Sequence, residues 1–319
     1  MSVKLLKGLV DRTAVLFLGV GVGTAMGYAF AGDVARVISP ESAAPRTPPA
    51  TDTPAPATGG DATGAAAPAK LAAAVPPQGS CVQECAMPFQ PRLLATLARG
   101  EKVRVGVFGD SFGDGLWAAL YHQLPSRDAF EVVKFSQQST GFTRYQSLNL
   151  EEHLAEQGAD KPVDIAVISF GANDTQGVMH KGRYAELLST GWKEEIGARI
   201  DRYVGRLREQ GAIVYWVGLP VMRKPSFDAD IGAMNAFFAE RMERLGVPFI
   251  ETRSRSVDDS GAYTAYLPDP KTGAPRLMRA NDGIHMSMKG YERLTEGLSQ
   301  RIRRYISEAR RQAGNEAGA

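Results

Sequence analysis

Three runs, Val103–Gly109, Val163–Phe170 and Ala212–Leu219, most limit what this chain can become. Each is apolar along most of its length rather than at alternate positions. Strands of that kind need cover on both faces, which is the signature of a parallel sheet. Shorter runs at Val132–Ser136 and Val247–Glu251 complete a set of about five strands. Between them lie helical patterns at Leu116–Leu124, Ile196–Gln210 and Ile231–Leu245, with Ile200, Val204 and Leu207 on one face of the second. A last helix, Met288–Arg311, carries Leu294, Leu298, Ile302 and Ile306 at helical spacing. Strands alternating with helices predict an α/β domain whose ligand site lies at the carboxyl ends of the strands. Roughly 230 residues are ample for one such core.

The 319 residues divide unevenly. Residues 1–38 hold Lys4, Lys7 and Arg12 and then an uncharged apolar run, Thr13–Ala31, about as long as a bilayer core requires. Glycines at 19, 21, 23 and 27 are tolerable in a membrane span, and Ala29-Phe30-Ala31 offers a small-x-small cleavage pattern. An uncleaved inner-membrane anchor and a cleaved signal peptide both fit, and both put the remainder outside the cytoplasm, at the periplasmic face or free beyond it. Residues 39–88 are dominated by Pro, Ala, Thr and Gly up to about Ser80 and cannot bury enough apolar surface to order themselves. As a coil such a tether reaches roughly 35 Å. Cys81 and Cys85, the only cysteines, stand at its exit and read as structural, with a short-loop disulfide possible in an oxidising compartment. The folded domain is expected over 89–312, and 313–319 as a disordered tail. A net charge of +2 without a basic, aromatic-laced stripe argues against nucleic acid. The arginines of the last helix, Arg301, Arg303, Arg304, Arg310 and Arg311, read as a solvated face.

Chemistry concentrates in three short stretches. Gly109-Asp110-Ser111 follows the first strand, and its glycine permits a sharp turn that leaves Ser111 at a helix N-terminus. Asp110 or Ser111 as a plain helix cap is the simpler alternative for this stretch alone. Gly171-Ala172-Asn173-Asp174 follows the third strand; the Asn173 amide can donate to a developing oxyanion, while Asp174 braces the loop. Asp282-Gly283-Ile284-His285 precedes the last helix. Of the four histidines (His122, His153, His180 and His285), only His285 has a carboxylate three positions earlier in a loop entering a helix. Asp282 can therefore hold one ring nitrogen while the other faces a serine hydroxyl. A hydroxyl nucleophile, a base, an orienting carboxylate and an amide donor make up the set that serine acyl transfer needs.

Gly-Asp-Ser, Gly-x-Asn-Asp and Asp-x-x-His in this order resemble the SGNH (GDSL-like) hydrolase superfamily over about Val103–Tyr291, and within it the exported bacterial branch called DUF459. The resemblance implies a three-layer α/β/α, flavodoxin-like fold with neither metal nor organic cofactor. It also implies Ser111 as nucleophile, His285 as base, Asp282 as its orienting carboxylate and Asn173 as oxyanion donor. A glycine N–H completes the family's oxyanion hole, and Gly141 in Ser139-Thr140-Gly141-Phe142 is the best match. Two departures stand out. Phe112 replaces the usual leucine, which should affect packing only, and Gln137 and Gln138 stand where an asparagine often precedes the glycine.

The expected function is an extracytoplasmic esterase or O-acyltransferase acting on acyl groups, acetyl first among them, of envelope glycans. A small ester is an alternative substrate, and a membrane acyl donor an expected partner of the transfer reaction. A lipase or thioesterase, a non-catalytic envelope scaffold, and a metal-dependent phosphohydrolase built on Asp110, Asp174 and Asp282 are the competing readings; the last leaves Ser111, Asn173 and His285 without a task. Arg144, His180, Arg183 and Trp192 are candidate pocket residues, and Ser254–Ala280 reads as a polar insertion covering the pocket.

Overall fold

Strand β1 (Val103–Gly109) has its side chains buried on both faces, with only Arg104 partly exposed, and this fixes its place inside the sheet. It pairs in parallel with β2 (Phe130–Lys134) on one side and β3 (Ile165–Ser169) on the other; β6 (Ile213–Val217) and β7 (Phe249–Ile250) follow. The order β2-β1-β3-β6-β7, counted over sheet strands alone, is the flavodoxin-like 2-1-3-4-5. The computed structural model describes residues 89–158 and 161–317. The N-terminal apolar run, the Pro-rich stretch and Cys81 and Cys85 lie outside the described residues. Among the described residues no helix is long and apolar enough to cross a membrane.

Alternate residues of each strand feed two cores. On one face Val105, Val107, Ile165, Val167 and Tyr215 pack with Leu93 of α1 (Pro91–Ala98), Leu116 and Leu120 of α2 (Ser111–Gln123), and Leu294, Leu298 and Ile302 of α6 (Met288–Ala317). On the other, Phe108, Ala166, Ile168, Val214 and Trp216 meet three helices: Leu150 and Leu154 of α3 (Leu150–Gly158), Ile196 and Ile200 of α4 (Thr190–Glu209), and Met234 and Phe238 of α5 (Pro225–Leu245). The three layers expected from the sequence are present. Sheet strands fall within one or two residues of the expected spans; α4 and α5 begin earlier than expected, Ser189 capping α4 through Trp192 N–H and Pro225 starting α5, whereas α6 starts at Met288 as expected. α6 runs to Ala317, past the expected boundary at 312, because Ala313 is still buried.

Two short hairpins, β4–β5 (Val178–His180 with Arg183–Ala185) and β8–β9 (Tyr266–Pro268 with Pro275–Leu277), rise from loops after β3 and β7. Both are additions to the sequence-based scheme, each too short and polar to show a strand period. The second lies inside the expected insertion Ser254–Ala280. The arginine-rich face of α6 does more than meet solvent: Arg303 reaches Asp128 at 2.8 Å and Arg310 the Asp128 carbonyl at 3.3 Å, tying the helix to the turn before β2.

Ile302 is fully buried between α6 and the sheet. Ile302→Ala should lower the unfolding free energy by roughly 3 kcal/mol in urea titrations. A loss below about 1 kcal/mol would mean that α6 is not part of the first core.

Candidate active site

The site begins where β1 turns into α2. Gly109 has φ +156°, and a Cβ there would sit 2.3 Å from the Ser169 carbonyl oxygen, so only glycine lets the two strand ends approach. Asp110 caps α2, its Oδ1 accepting from the Phe112 N–H at 2.8 Å, and Ser111 is the helix's first residue. The capping alternative and the reactive one thus fall on neighbouring residues: Asp110 caps, leaving the Ser111 hydroxyl free for another partner.

That partner is His285. Its Nε2 lies 2.7 Å from Ser111 Oγ, across 174 positions of chain, and its Nδ1 lies 2.6 Å from Asp282 Oδ2. The other Asp282 oxygen accepts from the backbone N–H groups of Ile284 and His285 at 2.8 and 2.9 Å, which fixes the turn between them. Partial burial works to raise the Asp282 pKa. The hydrogen bond from the His285 ring and the two backbone donors outweigh it and hold the carboxyl at about 2. Such a carboxylate stays ionised across the working pH range and keeps its imidazole in one orientation. The Phe112 ring stacks on His285, with centroids 5.4 Å apart and planes at 24°. Phe112 therefore buttresses the ring, a larger role than the packing expected of it.

Asn173 follows β3, and its amide nitrogen donates to the Thr140 carbonyl at 2.9 Å; its contact with Asp110 Oδ2, at 3.4 Å, is long. One amide hydrogen is well used, and the second is held only weakly. Gly141 adjoins Thr140, and a Cβ there would lie 2.5 Å from Asp174 Oδ1, so a glycine is required. Asp174, fully buried, accepts from both the N–H and the hydroxyl of Thr143 at 2.7 Å. As expected of it, Asp174 braces a loop, and the loop is the one bearing Gly141. Burial pushes the Asp174 carboxyl up, and pushes that of Asp110 up to about 7, the nearby Asp174 adding to the effect.

The remaining candidates divide. Trp192 is fully buried; its indole N–H donates to the Gln176 carbonyl at 2.8 Å and so supports the Asn173 loop. His180 is held between Glu194 and Glu195, each at 3.0 Å, on the β4–β5 hairpin. Arg144 bonds the Ser139 carbonyl at 3.0 Å, and Arg183 is exposed. Sequence reading missed Thr140, which becomes visible only through its carbonyl. It also missed Asp114, which accepts from Ser136 at 2.5 Å and Gln138 at 3.0 Å and so ties the start of the Gly141 loop to α2.

A family model described as "Protein of unknown function (DUF459)" matches residues 104–301, more than half of the chain, and the chain belongs to that family. The span includes the Gly-Asp-Ser, Gly-x-Asn-Asp and Asp-x-x-His stretches. No curated protein matches the chain. Similar solved structures include the periplasmic domain of a lipopolysaccharide acetyltransferase from Salmonella ser. Paratyphi A, 12% identical, covering 69% of this chain and 98% of that one with a TM-score of 0.45. An acetyl xylan esterase is 14% identical, covering 63% and 100%, with a TM-score of 0.45. A GDSL-like lipase from Bacteroides thetaiotaomicron is 16% identical, covering 70% and 100%, with a TM-score of 0.43.

The buried Asp110 carboxyl sets a pH dependence. Its folded-state pKa is raised, so it carries no penalty below the ordinary carboxylate range, and stability falls as pH rises from about 4 toward about 7. Asp110→Asn removes that loss. Its urea midpoint relative to wild type should therefore climb between pH 4.5 and 8; a constant offset over that range would contradict the burial.

Proposed function

We propose that this DUF459 protein is an extracytoplasmic serine esterase or O-acyltransferase that acts on acyl groups, acetyl foremost, of envelope glycans. One observation carries the chemistry: a serine hydroxyl, an imidazole and a carboxylate linked by contacts of 2.7 and 2.6 Å at the carboxyl edge of a parallel sheet. The SGNH resemblance of the three motifs supports the same reading.

In this reading Ser111 Oγ adds to the ester carbonyl while His285 Nε2 takes the hydroxyl proton. Asp282 stabilises the imidazolium. The carbonyl electrons move onto oxygen, where the loosely held Asn173 N–H and the Gly141 N–H receive them. Collapse expels the alcohol, which leaves with the proton from His285, and Ser111 keeps the acyl group. Water or a sugar hydroxyl then reverses the steps. Hydrolase and transferase differ only in that acceptor. The apolar segment and Pro-rich tether of the N-terminal sequence support an envelope location, as an inner-membrane anchor or after cleavage near Ala31, and an acyl donor in the membrane fits the transfer alternative.

A second reading, a lipase or thioesterase, has one observation in its favour. Tyr266 and Leu277 are cross-strand partners on β8–β9 and both are exposed, offering apolar surface to a longer acyl chain. Rates on 4-nitrophenyl esters of increasing chain length separate the two: a peak at acetyl supports the glycan esterase, a peak at eight carbons or more the lipase.

A fluorophosphonate probe should label wild-type protein and not Ser111→Ala; an unlabelled wild type would leave a non-catalytic envelope scaffold as the better account. His285→Ala should cut kcat on the order of 10⁴-fold. Asn173→Ala should cut it on the order of 10²-fold, and a variant with wild-type turnover would remove Asn173 from the oxyanion hole.

A further inference from the structure

Among the described residues Arg279 is the one buried cation, and the proposed reaction does not use it. It is 1% exposed. No carboxylate pairs with it among the described residues, and its Nε is buried without a hydrogen-bond partner there. A guanidinium in such a place is expensive, and a well-packed apolar side chain of similar volume would commonly stabilise the fold as well or better.

Its Nη2 donates to the Val221 carbonyl at 2.5 Å and reaches the Gly283 carbonyl at 3.4 Å. Val221 belongs to the loop after β6, and Gly283 is the second residue of the Asp282–His285 turn. The same Gly283 carbonyl accepts from the Arg223 N–H at 3.0 Å, so loop and turn are joined by two independent bonds. The loop is itself anchored: Val221 N–H donates to Ser256 at 3.0 Å, Met222 N–H to Asp228 at 2.7 Å, and Asp228 is gripped by both arms of Arg253 at 2.9 and 2.8 Å. The Tyr263 ring faces the guanidinium carbon at 4.9 Å from the other side. Burial disfavours the charge on Arg279, while Tyr263, Tyr291 and the Asp282 carboxylate favour it.

We propose that Arg279 is a positioning residue: its Nη2 clamps the Asp282–His285 turn to the anchored loop after β6, so that the imidazole is held on Ser111. The inference deepens the serine-acyltransfer reading and rests on it for its kinetic consequences, though not for the geometry. Both carbonyls bond the same nitrogen, Nη2, which stands one bond farther from the backbone than the ammonium of a lysine, so lysine keeps the charge but not the reach.

The test uses the full chain and two variants, Arg279→Met and Arg279→Lys. On 4-nitrophenyl acetate, Arg279→Met should lose tenfold or more in kcat with KM within twofold of wild type. Its kcat/KM should also depend on pH differently, the acid limb moving to higher pH as the neighbouring cation is lost. In proton NMR the downfield signal of the His285 Nδ1 hydrogen bond, present in wild type, should broaden or vanish. Arg279→Lys should keep the acid limb in place yet lose threefold or more in kcat. A folded Arg279→Met with an intact downfield signal and wild-type kcat overturns the proposal. If that variant does not fold, Arg279→Lys decides alone, and wild-type kcat together with an intact downfield signal overturns the clamp. If wild type shows neither turnover nor fluorophosphonate labelling, the catalytic reading fails; the NMR comparison still decides whether Arg279 holds the turn.

Discussion

The site depends on how closely two strand ends can approach. Gly109 lets β1 run so near β3 that any side chain there would strike the Ser169 carbonyl, and also Gly113 at 3.0 Å. Because the backbone can turn in that space, α2 begins at once, and its first residue stands at the carboxyl edge beside the loop that carries Asn173. A bulkier residue would push β3 aside or delay the helix. Either change would separate the hydroxyl from the amide donor while leaving both motifs intact in sequence.

Around that turn the protein buries carboxylates, at evident cost. Asp174 lies close enough to Asp110 to raise its proton affinity, and both are kept from water. Their reward is local rigidity. Asp174 gathers the amide and hydroxyl of Thr143 and fits into the space left by the missing side chain at Gly141, and Asp110 fixes the first turn of α2. Backbone donors that must meet a developing charge are best held by groups that do not themselves move during reaction.

What could be read from the chain, and what could not, follows the range of the interactions. Strands and the three motifs are local: a run of apolar residues or a tripeptide announces itself. The Gly-Asp-Ser turn marks Ser111 as a helix start, but the apolar period of α2 shows only from Leu116, because Gly113 and Gly115, poor helix formers that long-range packing demands, stand before it; a Cβ at Gly115 would fall 2.1 Å from the Tyr291 ring. Trp192, a candidate pocket residue by sequence, is buried instead, and its partner, the Gln176 carbonyl, lies on a loop that sequence alone cannot fold back. Arg279 carried no signal at all. Its meaning comes from two carbonyls, one of them 58 positions away, and carbonyls are the same in every residue.

The two sides of the site have separate supports, and they meet at Phe112. On one side the Asp282–His285 turn rests on Arg279 and the loop after β6. On the other the Asn173 and Gly141 loops rest on Asp174, Asp110 and Trp192. Phe112 touches both: its N–H donates to Asp110, and its ring stacks on His285. A flat ring at this position can cover an imidazole face, which a branched aliphatic side chain covers less completely. The residue after Ser111 therefore joins the tilt of the His285 ring to the turn that carries the Ser111 hydroxyl. In the proposed reaction, the departure from leucine at this position bears on how His285 is aimed at Ser111 as well as on packing.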